Sequence, residues 1–166
     1  MILVSACLLG KKVKYDGGSN TNDLLTKYET AGRFMAICPE VVGGLKIPRS
    51  PAEIQNGTGV DVIAGRAVVK NKDGQDVTAE FMRGAEGFME LVRKYNVKIA
   101  IMKANSPSCG NSHVYDGTFS HKKIAGQGVT ASLIGEAGVT VYSEEDLTEE
   151  LLKELIQSDM SENGEI

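Results

Sequence analysis

The sequence of 166 residues has few of the residues from which disulfides and metal sites are built. It contains three cysteines, two histidines and no tryptophan. An odd number of cysteines cannot pair completely in disulfides, and a site of four thiolates would lack its fourth ligand. Neither His113 nor His121 has metal-type spacing to a cysteine, so both are interpreted as surface loop residues. What remains is three thiolates far apart in sequence, which suit a metal site with one position left open to substrate.

Long apolar runs and an excess of positive charge are also missing. No stretch approaches the roughly 18 apolar residues that a membrane span needs. The net charge of −4 and the sequence pI near 5.3 do not favour a broad nucleic-acid-binding face. The apolar first nine residues lack the charged segment that begins a signal peptide. With the unpaired cysteines, these absences predict a cytoplasmic protein that binds neither membrane nor nucleic acid. The oligomeric state is left open.

Apolar segments with strand and helix periodicity alternate along the chain. Strands are predicted at 2–6, 33–37, 98–102 and 139–142, and helices at 20–31, 76–95 and 143–158. A short helix is predicted within 124–136, after the Gly-Gln-Gly at 126–128. A helical turn is also predicted at 51–54, and a hairpin from 60–63 and 66–69. The domain is expected to cover 1–158, followed by a frayed tail at 159–166. This alternation predicts a single α/β domain, Rossmann-like, whose mostly parallel sheet has helices on both faces.

Each cysteine follows a predicted strand. Cys7 and Cys38 come directly after the first two strands, and Cys109 lies in the loop after 98–102. Ligands of such sheets bind beyond the carboxyl ends of the strands, so the three thiols are expected in one pocket. Packing as a small buried hydrophobe is the competing interpretation for any single cysteine. The neighbouring Pro, Ser and Gly residues favour a pocket rim instead.

Several polar residues near the cysteines are candidates for chemistry. Glu40, two residues after Cys38, is either a general acid/base or a solvated carboxylate. The segment 15–18, Tyr-Asp-Gly-Gly, forms either a tight turn or a ligand loop. Ser106 and Ser108 either hydrogen-bond a substrate or cap their own loop. The residues alone leave each choice open.

Seven short motifs occur in an order that resembles one known family. They are Ser-Ala-Cys-Leu-Leu-Gly at 5–10, Tyr-Asp-Gly-Gly at 15–18, Cys-Pro-Glu at 38–40, Gly-Gly-Leu-x-x-Pro-Arg at 43–49, Asp-Val-Thr at 76–78, Ser-Pro-Ser-Cys-Gly at 106–110 and Tyr-Asp-Gly-Thr-Phe at 115–119. The chain is similar in this respect to the TudS-type thiouracil desulfidases, from about residue 2 to residue 145.

The resemblance implies a cofactor and a set of site residues. Carried over position by position, Cys7, Cys38 and Cys109 hold a 4Fe–4S cluster with one iron free of protein ligands. Glu40 matches the carboxylate that activates water. Ser106 is the first choice for a catalytic hydroxyl and Ser108 the second. The substrate-binding candidates are Tyr15, Asp16 and Ser108.

The resemblance also implies a reaction. The family removes sulfur from thiolated pyrimidines such as 2-thiouracil, 4-thiouracil or 4-thiouridine monophosphate by non-redox chemistry. The open iron acts as a Lewis acid, water replaces the sulfur, and sulfide is released. A longer related group with an additional domain acts on thiolated transfer RNA. This shorter, acidic chain favours a free base or nucleotide.

Two other classes of function stay open at this point. The same three thiolates suit a zinc ion with a bound water, as in a zinc-dependent hydrolase. They also suit a non-enzymatic carrier of sulfur or of an iron–sulfur cluster.

Overall fold

The fold is described by a computed structural model that covers residues 1–29 and 32–162. Within these residues the strands are β1 Ile2–Ser5, β2 Phe34–Ile37, β3 Ala52–Gln55, β4 Val68–Asn71, β5 Ile99–Met102, β6 His113–Tyr115, β7 Lys123–Ala125 and β8 Thr140–Ser143. The α-helices are α1 Asp23–Tyr28, α2 Pro39–Val42, α3 Gly59–Ile63, α4 Thr78–Tyr95, α5 Val129–Glu136 and α6 Glu149–Glu162. None of the described helices has the length and apolar character needed to cross a membrane.

Four of the strands form one parallel sheet in the order β2-β1-β5-β8. Every residue of the two central strands, β1 and β5, is buried. Strands buried on both faces are typical of parallel sheets covered by helices, and they account for the apolar runs at these positions. The predicted α/β fold with a mostly parallel sheet is confirmed.

Alternate side chains of the sheet pack into separate cores on its two faces. On one face, Ile2 and Val4 pack with apolar residues of α1 and α6, among them Leu25 and Leu152. On the other face, Leu3 packs with residues of α4 and α5. Helices therefore cover both faces, as the alternating pattern predicts.

Two antiparallel strand pairs lie beside the main sheet: β3 with β4, and β6 with β7. The first pair packs Ile54 and Val69 against Phe81 of α4 in a third apolar cluster. These pairs provide walls around the carboxyl edge of the main sheet.

Two local predictions are wrong. Residues 52–54 of the segment predicted as a helical turn belong to β3, which pairs along its length with β4 and buries Ile54. Residues 60–63, predicted as a strand, form most of α3. That helix begins where the backbone N–H of Thr58 donates to Asp61 Oδ2 at 2.9 Å, as in a capping box. The true partner of 68–71 is thus β3.

The ends of two predicted helices also differ. Helix α1 begins at Asp23 because the Asn22 side chain accepts the N–H of Leu25, and it ends at Tyr28. Residues 30–31 of that prediction lie outside the described residues. Helix α6 starts only at Glu149 and runs to Glu162, so 159–162 belong to the fold and not to a tail. The rest of the predicted tail, 163–166, lies outside the described residues.

Candidate active site

The three cysteines lie at the carboxyl edge of three neighbouring parallel strands. Cys7 follows β1 in a short 3-10 turn, Cys38 follows β2 directly, and Cys109 lies in the loop after β5. Because β2, β1 and β5 are adjacent and parallel, these segments leave the sheet at one edge. All three thiols are free and line a single cavity. The expected convergence of the cysteines is therefore present in the fold.

The cavity has a volume of about 430 Å³. Besides the cysteines, its wall includes carboxylates, cations and aromatic rings from several segments of the chain. These wall residues include Tyr15, Asn20, Glu40, Arg49, Glu53, Lys103, Ser106, Tyr115, Phe119 and His121. Such a mixed wall fits a small polar ligand with an apolar ring.

The cysteine thiols are largely withdrawn from solvent. Burial raises the pKa of Cys7 and of Cys38, and it raises that of Cys109 furthest. Polar groups nevertheless point at each sulfur. The Ser5 hydroxyl donates to Cys109 Sγ at 3.2 Å, Asn20 hydrogen-bonds Cys7, and backbone N–H groups reach Cys38. Donors of this kind stabilise thiolates once a metal has displaced the protons, and they tune iron–sulfur clusters.

The three thiols on this wall are a donor set for a thiolate-bound metal cofactor. In the ranges 1–29 and 32–162, no three cysteine, histidine or carboxylate side chains converge as ligands of one metal ion. Three ligands of one zinc would have to meet within about 2.3 Å of a common point. Thiolates on different irons of a cluster lie farther apart, roughly 6–7 Å for metal–sulfur bonds of that length. The chemistry of the donor set, three free thiols on one wall, fits an iron–sulfur cluster held by thiolates.

Glu40 is held beside Cys38 by the start of α2. Cys38 is the residue before the helix, and Pro39 is its first residue. Proline suits this position because it has no N–H and the first N–H of a helix has no partner within the helix. Glu40 follows and is mostly buried, with 18% of its side chain exposed. Arg49 Nε donates to Glu40 Oε1 at 3.2 Å, and its Nη2 donates to the carbonyl of Val13 at 2.9 Å. The guanidinium thus fixes one carboxylate oxygen.

Helix α2 is set in place by close backbone packing on α4. A Cβ on Gly43 would lie 1.9 Å from the carbonyl oxygen of Glu80, and one on Gly84 would lie 2.0 Å from that of Pro39. Distances this short exclude any side chain at either position. Two glycines therefore determine how closely the segment with Cys38 and Glu40 approaches the core.

The second oxygen of Glu40 belongs to a chain of hydroxyls. Ser108 Oγ donates to Glu40 Oε2 at 3.2 Å, and Ser106 Oγ lies 3.0 Å from Ser108 Oγ. Ser106 Oγ also accepts the backbone N–H groups of Ser108 and Cys109, so its own proton is directed to Ser108. Ser106 lines the cavity, whereas Ser108 is buried behind it and 1% exposed.

The predicted substrate loop divides into two parts. Tyr15 lies on the cavity wall and is 43% exposed. Asp16 is not among the wall residues: its Oδ1 accepts the N–H of Gly18 at 2.8 Å, which closes a tight turn. Gly17 adopts a positive φ of 82°, which favours glycine there. The turn interpretation therefore holds for Asp16, and the structure does not bring it to the cysteines.

Comparison with known proteins bears directly on this site. The sequence model of the 2-thiouracil desulfurase family matches residues 2–146. The chain belongs to this family. The matched range contains the three cysteines, Glu40, Ser106 and Ser108.

Two individual proteins are also similar to this chain over most of its length. The uncharacterised protein YbbK of Bacillus subtilis (strain 168) is 44% identical over 149 residues, which are 90% of this chain and 99% of YbbK. The solved structure of the 4Fe–4S-dependent thiouracil desulfidase TudS is 41% identical, with a TM-score of 0.80. The matched region covers 93% of this chain and 97% of the TudS chain.

Arg49, Glu53 and His121 lie on this wall, but they were not predicted from the sequence as site residues. Arg49 is the last residue of the motif at 43–49, and it contacts Glu40. Its place in that motif could have identified it as a site residue. Glu53 was not recognised as a wall residue because residues 51–54 were wrongly predicted as a helical turn. His121 lines the cavity as an exposed residue, while His113 lies on β6, exposed and away from the wall. The segment 115–119 supplies Tyr115 and Phe119 to the wall.

Proposed function

We propose that the protein is an iron–sulfur-dependent desulfidase that removes sulfur from a thiolated pyrimidine by hydrolysis. The products are the oxo-pyrimidine and sulfide. The observation that carries the proposal is the meeting of three free thiols and a mostly buried carboxylate, Glu40, in one cavity. Family membership and the likeness to a 4Fe–4S-dependent thiouracil desulfidase support it.

Cys7, Cys38 and Cys109 would hold a 4Fe–4S cluster, leaving one iron without a protein ligand. When bound, such a cluster supplies a Lewis acid for the thiocarbonyl sulfur of the substrate. Lys103 lies on the same wall, and its positive charge lowers the pKa of Cys7 against the effect of burial. The lysine thereby offsets negative charge on the thiolates. Its ammonium is held in place by Glu144 Oε2 at 2.9 Å.

Glu40 is the residue that takes a proton from the attacking water. A carboxylate oxygen accepts this proton only if it reaches the cavity, and Glu40 lies on its wall. Arg49 holds the carboxylate in one orientation, so little rearrangement is needed when water attacks. The hydroxyls of Ser108 and Ser106 connect Glu40 to another point of the wall. Both donate toward Glu40, so a proton leaves the carboxylate along them only after both hydroxyls have rotated.

A small thiolated base or nucleotide is the substrate class that this cavity favours. The volume of about 430 Å³ is near the lower end of ligand pockets and leaves no room for a folded RNA. The net charge of −4 also disfavours a nucleic acid partner. Free thiols and an open iron both require a reducing compartment, for which we propose the cytoplasm.

The test is anaerobic reconstitution with iron and sulfide, followed by a panel of thiolated bases, nucleosides and nucleotides. The expected result is a brown protein that releases several equivalents of sulfide per chain, together with the matching oxo-pyrimidine. A colourless protein that is active with zinc would contradict the iron–sulfur desulfidase and would support a zinc-dependent hydrolase instead. Release of one equivalent at most would indicate a carrier.

A further inference from the structure

One loop of the cavity wall has a conformation that its own sequence does not favour. The loop 116–122 joins β6 to β7. Phe119 and His121 in this loop have φ values of 56° and 62°. Bulky L-residues rarely adopt this left-handed conformation, and they keep it only where surrounding contacts impose it. Both side chains lie on the cavity wall.

The contact that imposes the conformation comes from a carboxylate on another strand pair. Glu53 of β3 is 8% exposed, and its Oε1 accepts the N–H groups of Gly117 at 3.0 Å and of Phe119 at 3.2 Å. Gln55 Nε2 donates to the carbonyl of Gly117 at 3.0 Å. Position 117 admits only glycine, because a Cβ there would lie 2.7 Å from the carbonyl oxygen of Ile54. The loop is therefore fastened to β3 by a buried charged acceptor.

The fastened loop presents aromatic rings to the cavity. Phe119 is half-buried, and the rings of Tyr115 and His121 meet edge to face with centroids 6.4 Å apart. A thiolated pyrimidine has a polar edge, which carries the sulfur, and two flat π-faces. With the sulfur directed at the cysteines, a π-face is left to bind, and stacking on an aromatic side chain is the usual way to bind it.

We propose that Phe119 stacks on the substrate ring and that Glu53 is the positioning residue that holds Phe119 in place. This inference rests on the proposed function, since it assigns the ring-binding part of the same site. It makes the loop 116–122 the part of the wall that selects flat heteroaromatic thiocarbonyl compounds. Glu53 itself lies on the cavity wall, and the role assigned to it is to hold the loop through Gly117 and Phe119.

The experiment uses the cluster-loaded protein and 2-thiouracil as the probe, measured both as a dissociation constant and as KM and kcat. Phe119→Leu is expected to weaken binding and raise KM about tenfold, the size of one base–aromatic stack. We expect kcat to fall by a smaller factor. Phe119→Tyr restores the ring and should bind within about twofold of the parent. Tyr95→Leu, which removes an exposed aromatic ring at the end of α4, is the matched control.

Glu53 is tested by a readout that stacking alone does not change. In Glu53→Ala, trypsin should cleave after Lys122 and Lys123 several times faster, and binding of 2-thiouracil should weaken although Phe119 is intact. Phe119→Leu should leave the cleavage rate as in the parent. If Glu53→Ala does not fold, Glu53→Gln, with a neutral acceptor, should show both effects to a smaller degree.

Three results would overturn the inference: binding within twofold of the parent in Phe119→Leu, an unchanged cleavage rate in the Glu53 variants, or a parent that binds no 2-thiouracil. A parent that binds 2-thiouracil and releases no sulfide contradicts the proposed function alone. In that case the dissociation constants of the variants still decide the role of the loop.

Discussion

The hydroxyl of Ser108 donates a hydrogen bond to Oε2 of Glu40 across 68 residues of sequence. This contact joins the loop that carries Cys109 to the segment that carries Cys38. With Arg49 on the other carboxylate oxygen, it leaves Glu40 a single orientation. The proposed base is therefore held by groups from two separate loops.

Replacing Glu40 by Gln keeps the size of the side chain and removes the base. Turnover should fall about a hundredfold or more, the usual scale for loss of a general base, while iron content persists. KM should change much less, because the carboxylate acts mainly in the transition state. Steady-state sulfide release and iron analysis measure both. Glu90→Gln, an exposed site on α4, is the control. Turnover within a few-fold of the parent would assign the base elsewhere.

The two serines are expected to differ when each is changed to alanine. Ser108→Ala removes the link to Glu40 and should lower kcat at least tenfold with little change in folding. Ser106→Ala also removes the acceptor of two backbone N–H groups, so it should destabilise the fold by about 1–3 kcal/mol. Urea unfolding and kcat separate the two effects. Equal stability of the two variants would argue against this division of roles.

Cys109→Ser is expected to lose the cluster and the activity together. A serine hydroxyl stays protonated near neutral pH, whereas a thiol ionises on metal binding. Iron content and the visible absorption band should fall in parallel with sulfide release after reconstitution. Met102→Leu, a volume-conserving change at the end of β5, should retain iron. Full turnover in a Cys109→Ser protein without iron would show that the metal is not catalytic.

Asp159 is expected to matter for folding and not for catalysis. Its buried carboxylate accepts from the N-terminal ammonium at 2.7 Å and from Arg33 Nη2 at 2.7 Å. Asp159→Ala leaves both cations without this partner, and because they are partly exposed the loss should be about 1–3 kcal/mol of unfolding free energy. Glu154→Ala, exposed on the same helix, should be nearly neutral. Urea titration of both variants gives the difference. A loss below 1 kcal/mol would contradict the role of Asp159.

The main sheet could be predicted from the sequence because its signals are local. The apolar segments at 2–5 and 99–102 are buried on both faces, and the period of α4 matches the residues that it packs on the sheet. Parallel order then places the ends of these strands together, which is enough to bring the cysteines to one edge.

The wall of the site could be predicted less well, because it depends on pairing between distant segments. Ala52 and Glu53 after Pro51 are typical of a helix start, and only the partner strand β4 makes them a strand. Val60 and Val62 are typical of a strand, yet the Thr58–Asp61 cap begins a helix. That Thr-x-x-Asp signal was present in the sequence. The contact between Glu53 and the loop 116–122 had no local signal.

The packing of Gly43 and Gly84 has a consequence for how variants of this protein will be interpreted. In a saturation mutagenesis screen for activity, both positions should tolerate almost no substitution, as active-site residues do. Neither glycine lines the cavity, and Gly84 is far in sequence from every cysteine. Because neither position has a side chain, α2 packs closely on α4. Any Cβ would force α2 away from α4, and Glu40 would move with it. A map of intolerant positions would therefore extend well beyond the residues that meet the substrate.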